Sequence, residues 1–373
     1  MMKKIRVVIA GGGTGGHIYP ALAIASGLLS RYEAEILYLG VQNSLEERLA
    51  KAAGYDFCQI SAAPLAGSFR RTIKAVSQNL IGCKQAKKII KEFRADLVIG
   101  TGGYVAAPVV LAGTKLKIPT LIHEQNAFPG RANTYLSSKV DRVCLTFEAA
   151  EEHFPQSAKT VLTGLPVRRA VLEASKDEAL KFFNFSADQQ VVLITGGSQG
   201  SKAINTAALS ALPRLLKRDI QIIFLTGIKN FDEVQGQLKV LNIFNNQHLQ
   251  IMPYLDKMEY ALAAADLAVG RAGASFISEL LARGIPSVLV PYPFAAGNHQ
   301  QENASSLEKQ GAAVLLKENA IKEQTLGDLL EMLLADRQKL YKMSAAAAKM
   351  GEGDALQKIL SVCHELLAAQ KRN

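Results

Sequence analysis

The sequence predicts an α/β protein built from two Rossmann-like, doubly wound parallel-sheet domains. Short apolar runs alternate with helix-like stretches, which is the pattern of a parallel sheet with helices on both faces. The order of apolar strand, glycine-rich turn and helix occurs twice, starting near Ile5 and near Gln190. A chain of 373 residues is also long for a single hydrophobic core. Two similar domains are therefore expected.

The first glycine-rich turn, residues 11–17 (GGGTGGH), separates an apolar strand at residues 5–10 from a predicted helix. Glycine lets the backbone approach a ligand closely, and N–H groups at a helix start favour anions. We interpret the turn as a phosphate or diphosphate cradle; a tight turn without a ligand is the alternative. The turn also matches the dinucleotide motif G-x-G-x-x-G. The second strand, residues 34–39, ends without the acid that holds a ribose, so an NAD site is disfavoured.

The rest of the first domain continues the alternation. A helix is predicted over residues 44–53, and strands are predicted near residues 57–60, 96–100, 119–124 and 142–146. Ligands of such sheets bind at the carboxyl ends of the strands. The segments 100–104 (GTGGY) and 123–126 (HEQN) follow strand ends, so both are candidate site segments.

The second domain is predicted to start after a Gly/Pro-punctuated linker at residues 164–169. We assign residues 1–165 to the first domain and residues 166–354 to the second. Strands of the second domain are predicted at residues 190–195, 221–225, 265–269 and 286–290. The last stretch, residues 355–373, has apolar residues at helical spacing. It predicts a packing helix, for which the first domain is a candidate partner.

Two segments of the second domain are candidate binding sites. In residues 270–280 (GRAGASFISEL), a strand end meets small residues and then a helix that carries an acid. Its first N–H groups can hold a diphosphate, and Glu279 can accept hydrogen bonds from a ribose diol. Alternatively, Glu279 only complements the helix dipole. In the amide-rich segment 297–303, Gln300 and Gln301 suit sugar hydroxyls, with a solvated loop as the alternative.

Composition narrows the function classes. The net charge of +10 suits a phosphorylated substrate, an anionic membrane or nucleic acid, but no aromatic-and-basic motif supports nucleic acid. The four cysteines are scattered, as expected of free thiols. We interpret the apolar run from Ile5 as a strand rather than a signal peptide. No apolar stretch is long enough to span a bilayer, so any membrane contact should be peripheral.

Residues 69–80 suggest such a contact. Basic residues alternate there with apolar ones at three- and four-residue steps, and the apolar residues are Phe69, Ile73, Val76 and Leu80. A helix of this kind can lie on an anionic bilayer. Without other information, such a pattern more commonly belongs to a helix whose apolar stripe packs in the core while its basic face is solvated. We call this alternative the core-stripe interpretation.

Seven motifs occur together along the chain. They are residues 12–17 (GGTGGH), 102–105 (GGYV), 123–126 (HEQN), 166–168 (PVR), 196–200 (GGSQG), 271–279 (RAGASFISE) and 300–301 (QQ). In this order they resemble the MurG family, the membrane-associated N-acetylglucosaminyltransferases that add GlcNAc to lipid I to give lipid II in peptidoglycan synthesis. The sequence departs from the family at Leu165, where Asn is common, and at Phe276, where a small hydroxyl residue is common.

The resemblance implies a GT-B fold, with two domains facing across a cleft and UDP-GlcNAc held mostly by the second. By matching motifs, the donor contacts are Arg168, Ser198, Ala274, Ser275, Phe276, Ile277, Ser278, Glu279, Gln300 and Gln301. The resemblance also implies that Leu255 is a substrate-binding residue. The residues near the transferred sugar and the acceptor are Thr14, Gly15, Gly16 and Asn126, and those at the acceptor diphosphate are Gly13, Gly102, Gly103 and Tyr104.

The resemblance also favours the membrane interpretation of residues 69–80. It implies a bacterial protein, peripheral at the cytoplasmic face of the plasma (inner) membrane, with lipid I as substrate and proteins of wall synthesis as candidate partners. Two alternatives stay open. One is another GT-B sugar-nucleotide enzyme, such as a UDP-GlcNAc 2-epimerase, and the other is a non-catalytic sugar-nucleotide binding protein.

The chemistry of the transfer suggests roles for further residues. Charge that grows on the leaving diphosphate needs a metal or fixed donors. The sequence has no D-x-D pair, so we expect helix N-termini and Arg168 to stabilise this charge, with no obligatory metal cofactor.

The acceptor hydroxyl needs a base. His17 is the first candidate, because the positive end of its helix disfavours imidazolium. Glu124 is the competing candidate, and a hydrogen bond of His17 within the turn is the non-catalytic alternative. Direct displacement predicts inversion at the anomeric carbon.

Overall fold

A computed structural model describes residues 4–65, 69–197, 199–321, 325–351 and 353–370. The chain forms two compact units, Met1–Pro166 with Gly353–Asn373, and Val167–Glu352. The change from the first unit to the second lies one residue after the predicted boundary at 165/166. Residues after 352 return to the first unit.

The first unit alternates strands with helices from its start. Its elements before the second unit are β1 (Ile5–Ala10), α1 (Gly15–Arg31), β2 (Ala34–Gly40), α2 (Leu45–Ala52), β3 (Asp56–Gln59), α3 (Phe69–Phe93), β4 (Leu97–Gly100), α4 (Gly103–Lys115), β5 (Thr120–Glu124), α5 (Arg131–Ser137), β6 (Arg142–Leu145) and β7 (Thr160–Leu162).

Among the described residues, the strands of this unit form one parallel sheet in the order β3-β2-β1-β4-β5-β6-β7. The strand order reverses between β1 and β4, where Ala10 lies beside Gly100. In doubly wound sheets, ligands bind at the carboxyl ends beside such a reversal. The glycine-rich turn follows β1, and the two other candidate segments follow β4 and β5. The sheet therefore brings all three to one edge.

The second unit follows the same plan. Its elements, with the final helix of the chain, are α6 (Arg169–Glu173), α7 (Lys176–Phe183), β8 (Val191–Thr195), α8 (Lys202–Leu216), β9 (Gln221–Leu225), α9 (Phe231–Val240), β10 (Leu249–Met252), α10 (Met258–Ala264), β11 (Leu267–Gly270), α11 (Ala274–Ala282), β12 (Ser287–Leu289), α12 (His299–Lys309), β13 (Ala313–Leu315), α13 (Thr325–Ala335), α14 (Arg337–Met350) and α15 (Ala355–Gln370). The parallel order β10-β9-β8-β11-β12-β13, read over the described residues, reverses between β8 and β11.

Three short strands, β7, β10 and β13, carry no clear signal in the sequence. Each lies at an edge of its sheet and includes partly exposed residues. A strand of three or four residues at an edge lacks the continuous apolar run that marks a buried parallel strand. Its conformation is therefore set by pairing with a neighbouring strand.

The final helix α15 contributes to the core of the first unit. Ile359 and Cys363 lie in one buried cluster with Ile24 and Leu28 of α1, on one face of the sheet. The opposite face is covered by α3 and α4. The last segment of the chain is thus a structural part of the first unit.

We expect Leu360→Ala to lower the free energy of unfolding by about 2–5 kcal/mol, the usual cost of truncating a buried leucine. Leu360 is 0% exposed. Chemical denaturation measures this change. Glu365→Ala, at an exposed position of the same helix, is the control and should stay within about 0.5 kcal/mol of the parent. Equal behaviour of the two variants would contradict the docking of α15.

Candidate functional site

The glycine-rich turn after β1 packs tightly on the loop after β4. A Cβ atom on Gly11 would lie 2.0 Å from Thr101 Oγ1, and the N–H of Gly12 donates to the carbonyl of Gly102 over 3.4 Å. Helix α1 then begins at Gly15. The first N–H groups of an α-helix have no acceptor within the helix. The turn thus presents N–H groups of Gly15 and Gly16, as an anion cradle requires.

A second helix starts beside this turn. Gly102 and Gly103 have φ values of +99° and +77°, which favour glycine. A Cβ on Gly103 would lie 2.1 Å from the carbonyl oxygen of Gly12, and one on Gly102 would lie 2.8 Å from Nδ1 of His17. The starts of α1 and α4 therefore converge because two glycine backbones touch.

His17 lies at this convergence and is half-buried. Its Nδ1 atom is 2.9 Å from Oε1 of Gln125 and 3.2 Å from the carbonyl oxygen of Thr101. Thr101 in turn donates its hydroxyl to the His17 carbonyl over 2.7 Å. The ring is thus held by segments that follow β4 and β5, and not within its own turn. These contacts involve one ring nitrogen, Nδ1.

Glu124, the competing base, is buried at the end of β5. Its carboxylate accepts hydrogen bonds from the backbone N–H groups of Asn126 (2.9 Å) and Gly130 (3.1 Å). It also accepts from the side-chain amides of Asn126 (3.2 Å) and Asn133 (2.8 Å). Since four donors engage its oxygens, Glu124 anchors the loop before α5.

Glu46 was not singled out from the sequence, yet it lies under the first turn. It is 1% exposed, and its Oε2 atom is 3.4 Å from the backbone nitrogen of Gly13. Gly13, predicted to bind the acceptor diphosphate, thus directs its N–H towards a carboxylate of its own chain. Tyr104 packs on the same glycine, where a Cβ would lie 3.1 Å from its ring. The local sequence around Glu46 indicates only an acid at a helix start.

In the second unit, α11 begins at Ala274, four residues after β11 ends at Gly270. A Cβ on Gly270 would lie 2.5 Å from the Phe276 ring, so the aromatic side chain covers the strand end. Ile277 and Ser278 are buried, whereas Ser275 is exposed. The backbone at the helix start and the Ser275 side chain are therefore the parts most open to a ligand.

Arg168 and Glu279, predicted to contact different parts of the donor, contact each other. Nη2 and Nε of Arg168 lie 3.0 and 3.1 Å from Oε1 of Glu279, and Nη1 lies 3.8 Å from Glu259. Burial raises the pKa of Glu279 above its ordinary value, and the guanidinium of Arg168 opposes this rise. The guanidinium of Arg168 and the carboxylate of Glu279 therefore lie side by side at α11.

The other predicted substrate-binding residues of this unit have different surroundings. Oε1 of Gln300 accepts a hydrogen bond from the backbone N–H of Tyr292 over 2.9 Å, which orients its amide nitrogen away from that contact. Gln301 is partly buried, and Leu255 is 9% exposed. Ser198 lies outside the described residues.

Arg271 has a positioning role that the sequence did not reveal. Its Nη2 atom donates to Ser201 Oγ over 2.7 Å and pairs with Glu318, while Nη1 contacts the carbonyls of Val290 and Pro291 at 3.2 Å. The side chain thus links the start of α8 to the loop after β12. The sequence could have drawn attention to Arg271 only through its position at the start of the motif at residues 271–279.

Helix α3 carries an exposed apolar surface. Ile73, Val76 and Leu80 are 55%, 45% and 60% exposed, whereas other residues of the helix face the core. The core-stripe interpretation is therefore wrong for these three residues. Exposed basic side chains flank them at Arg71, Lys74, Lys84, Lys87, Lys88 and Lys91. The side chain of Phe69 lies outside the described residues, and no described helix is long and apolar enough to cross a bilayer.

Comparison with known proteins identifies the family of this chain. The Glycosyltransferase family 28 N-terminal domain matches residues 7–145, and the Glycosyltransferase family 28 C-terminal domain matches residues 191–359. A relative from Halothermothrix orenii is 44% identical over 355 residues, which is 93% of this chain and 95% of the relative. It is named UDP-N-acetylglucosamine–N-acetylmuramyl-(pentapeptide) pyrophosphoryl-undecaprenol N-acetylglucosamine transferase.

Solved structures show the same relationship. Acinetobacter baumannii MurG is 30% identical, with a TM-score of 0.79 over 97% of this chain and 99% of that one. A UDP-N-acetylglucosamine 2-epimerase has a TM-score of 0.65 over 100% of this chain and 98% of that one, but is 15% identical, so it shares the fold alone. Both units have the Rossmann-like sheets of GT-B proteins. The chain therefore belongs to glycosyltransferase family 28 and, within it, to the MurG family of N-acetylglucosaminyltransferases.

Proposed function

We propose that this protein transfers GlcNAc from UDP-GlcNAc to the 4-hydroxyl of MurNAc in lipid I, releasing UDP and giving lipid II. The observation that carries the proposal is the 44% identity to a transferase named for this reaction, over 93% of the chain. The anion-binding geometry after β1 suits a substrate with a diphosphate. A UDP-GlcNAc 2-epimerase is not favoured, because its likeness to this chain is confined to the fold.

In the proposed reaction, the acceptor hydroxyl attacks the anomeric carbon of GlcNAc. The bond from this carbon to the diphosphate oxygen breaks, and UDP leaves with the electron pair. The hydroxyl proton passes to His17, whose contacts to Gln125 and Thr101 involve only Nδ1. Attack opposite the leaving group inverts the anomeric configuration. The engagement of Glu124 by four donors supports His17 in this role.

The negative charge on departing UDP is assigned to N–H groups at the start of α11 and to Arg168. Fixed dipoles and a guanidinium stabilise such charge without reorganising during the reaction. Glu279, beside Arg168, is assigned to the ribose hydroxyls. With these donors in place, the proposed mechanism requires no divalent metal.

The proposed location is the cytoplasmic face of the bacterial plasma membrane, where the protein binds peripherally. Support comes from α3, whose exposed Ile73, Val76 and Leu80 lie among basic side chains. Such a helix surface can insert apolar residues at the headgroup boundary while lysine and arginine contact anionic lipids. Proteins of wall synthesis are proposed as further partners.

The activity is tested with purified protein, labelled UDP-GlcNAc and a short-chain lipid I analogue, with and without EDTA. We expect GlcNAc transfer in both conditions. His17→Ala should lower kcat by about 10² or more, the usual contribution of a general base. His364→Ala, at an exposed position of α15, should keep parental turnover. Near-normal kcat in His17→Ala would remove this residue from the mechanism, and loss of activity in EDTA would refute the metal-free proposal.

Donor binding is tested with Glu279→Ala. Removing hydrogen bonds between a carboxylate and the ribose should weaken UDP binding by about 10- to 100-fold, as expected from roughly 1.5–3 kcal/mol for bonds to a charged group. Isothermal titration calorimetry with UDP measures this change. Glu233→Ala serves as the control, since Glu233 lies on α9 and pairs with Lys202. Parental UDP affinity in Glu279→Ala would exclude the ribose contact.

Membrane binding is tested by co-sedimentation with vesicles that contain anionic phospholipid. Ile73→Glu should lower the bound fraction severalfold, because it places a charge within the apolar surface of α3. Val240→Glu is the matched control for Ile73→Glu and should bind vesicles like the parent. Val240 is also an exposed apolar helix residue (87%), but it belongs to the second unit. Vesicles of zwitterionic lipid should bind the parent weakly. Binding that is insensitive to both Ile73→Glu and lipid charge would defeat the proposal.

A further inference from the structure

A continuous row of hydrogen bonds runs through the first unit to His17. His123 Nε2 is 2.9 Å from the carbonyl oxygen of Gly164, and His123 Nδ1 is 3.0 Å from Nε2 of Gln125. Oε1 of Gln125 is 2.9 Å from Nδ1 of His17. His123 and Gln125 are 0% and 2% exposed, so water does not compete for these bonds. The row joins the end of β5 to the start of α1.

The carbonyl oxygens along the row determine the direction of each bond. The Gly164 carbonyl can only accept, so His123 Nε2 carries a proton and donates it. Burial lowers the pKa of His123 to about 4. The ring is therefore neutral near pH 7, and its Nδ1 atom accepts from the amide of Gln125.

A second contact orients the Gln125 amide independently. Its Nε2 atom is also 3.0 Å from the backbone carbonyl oxygen of His123, which requires a donor there. The amide oxygen must then face His17. The carbonyl of Thr101, at 3.2 Å from the same Nδ1, is another acceptor. Two oxygen acceptors at one ring nitrogen require that this nitrogen carry the proton.

We propose that His123 and Gln125 are positioning residues that hold His17 as the Nδ1-protonated tautomer, with Nε2 as the nitrogen that accepts the proton of the acceptor hydroxyl. The mechanistic part of this inference rests on the proposed function; the tautomer itself does not. In this arrangement a neutral amide takes the place that a carboxylate occupies behind the histidine of a catalytic triad. It orients the ring without adding a negative charge beside a site that receives a diphosphate.

The packing around the ring supports a single orientation. Gly102 and Gly103 lie against the imidazole so closely that a Cβ on either would lie within 3.3 Å of ring atoms. Turning the ring over, which would exchange the positions of Nδ1 and Cδ2, would therefore require the glycine loop to move. The row of hydrogen bonds and the packing of the two glycines therefore hold the His17 ring in the same orientation.

The test is nitrogen-15 NMR of the full-length protein labelled at histidine, with the His17 signals assigned by their loss in His17→Ala. We expect a protonated Nδ1 and an unprotonated Nε2 in the parent. Gln125→Leu removes the nearer acceptor and leaves only the Thr101 carbonyl at Nδ1 of His17. It should raise the fraction of the Nε2-protonated tautomer and lower kcat by about tenfold or more, with little change in the KM for UDP-GlcNAc. Gln125→Glu keeps an oxygen acceptor at Nδ1 of His17 and loses the amide donor to His123, so Nδ1 of His17 should stay protonated.

The matched control is Gln221→Leu in the second unit. Gln221 is also 2% exposed and makes two hydrogen bonds to the backbone of Ser186, so its loss lowers stability without reaching His17. It should leave the His17 signals and kcat unchanged. A parent with the proton on Nε2, or an unaltered tautomer in Gln125→Leu, would overturn the inference. Absence of transferase activity in a parent with the expected tautomer would instead count against the proposed function.

Discussion

The first unit depends on the contact between the glycine-rich turn after β1 and the loop after β4. Cβ atoms on Gly11 and Gly103 would lie 2.0 and 2.1 Å from atoms of the opposing segment, so the two backbones touch where any other residue would separate them. Because β1 and β4 are neighbours at the reversal of strand order, this contact places two helix starts together. The N–H groups of α1 and the ring of His17 then face the same edge of the sheet.

Two buried acids lie beside the glycine-rich turn that we propose binds an anion. Glu46 accepts the N–H of Gly13, and Glu124 accepts four donors of the loop that precedes α5. A buried carboxylate is tolerated when hydrogen bonds satisfy its oxygens. Both acids therefore act as anchors of the backbone, and the remaining N–H groups of the turn stay available to a ligand.

The second unit has the same plan of strand end followed by a helix start, and we propose that it binds the nucleotide. Its helix α11 starts beside the strand end covered by Phe276, and the pair of Arg168 and Glu279 lies close by. The ion pair holds both side chains in place, which would reduce the entropy lost in the proposed binding of a nucleotide. In the proposed reaction, the first unit supplies the base and the lipid contact, while the second retains the nucleotide.

Several features could be predicted from the sequence alone, namely the alternation of strands and helices, the two glycine turns, the segments at strand ends and the family of the chain. These features are local, since apolar periodicity and glycine positions are read within a few residues. The regular spacing of apolar residues in α3 was visible in the sequence, but this spacing fits a buried face as well as an exposed one. Only the structure shows that these residues are exposed. The short edge strands were missed because their conformation comes from pairing.

The hydrogen-bond partners of the polar side chains, in contrast, depend on the three-dimensional fold. Glu46 reaches Gly13 across 33 residues, Gln125 reaches His17 across 108, and Arg168 reaches Glu279 across 111. No local pattern records such pairings, because they follow from the order of strands in each sheet and from loops that pack on one another. The chemistry of a side chain is written in the sequence, but its hydrogen-bond partner, and hence the tautomer of His17, is set by the fold.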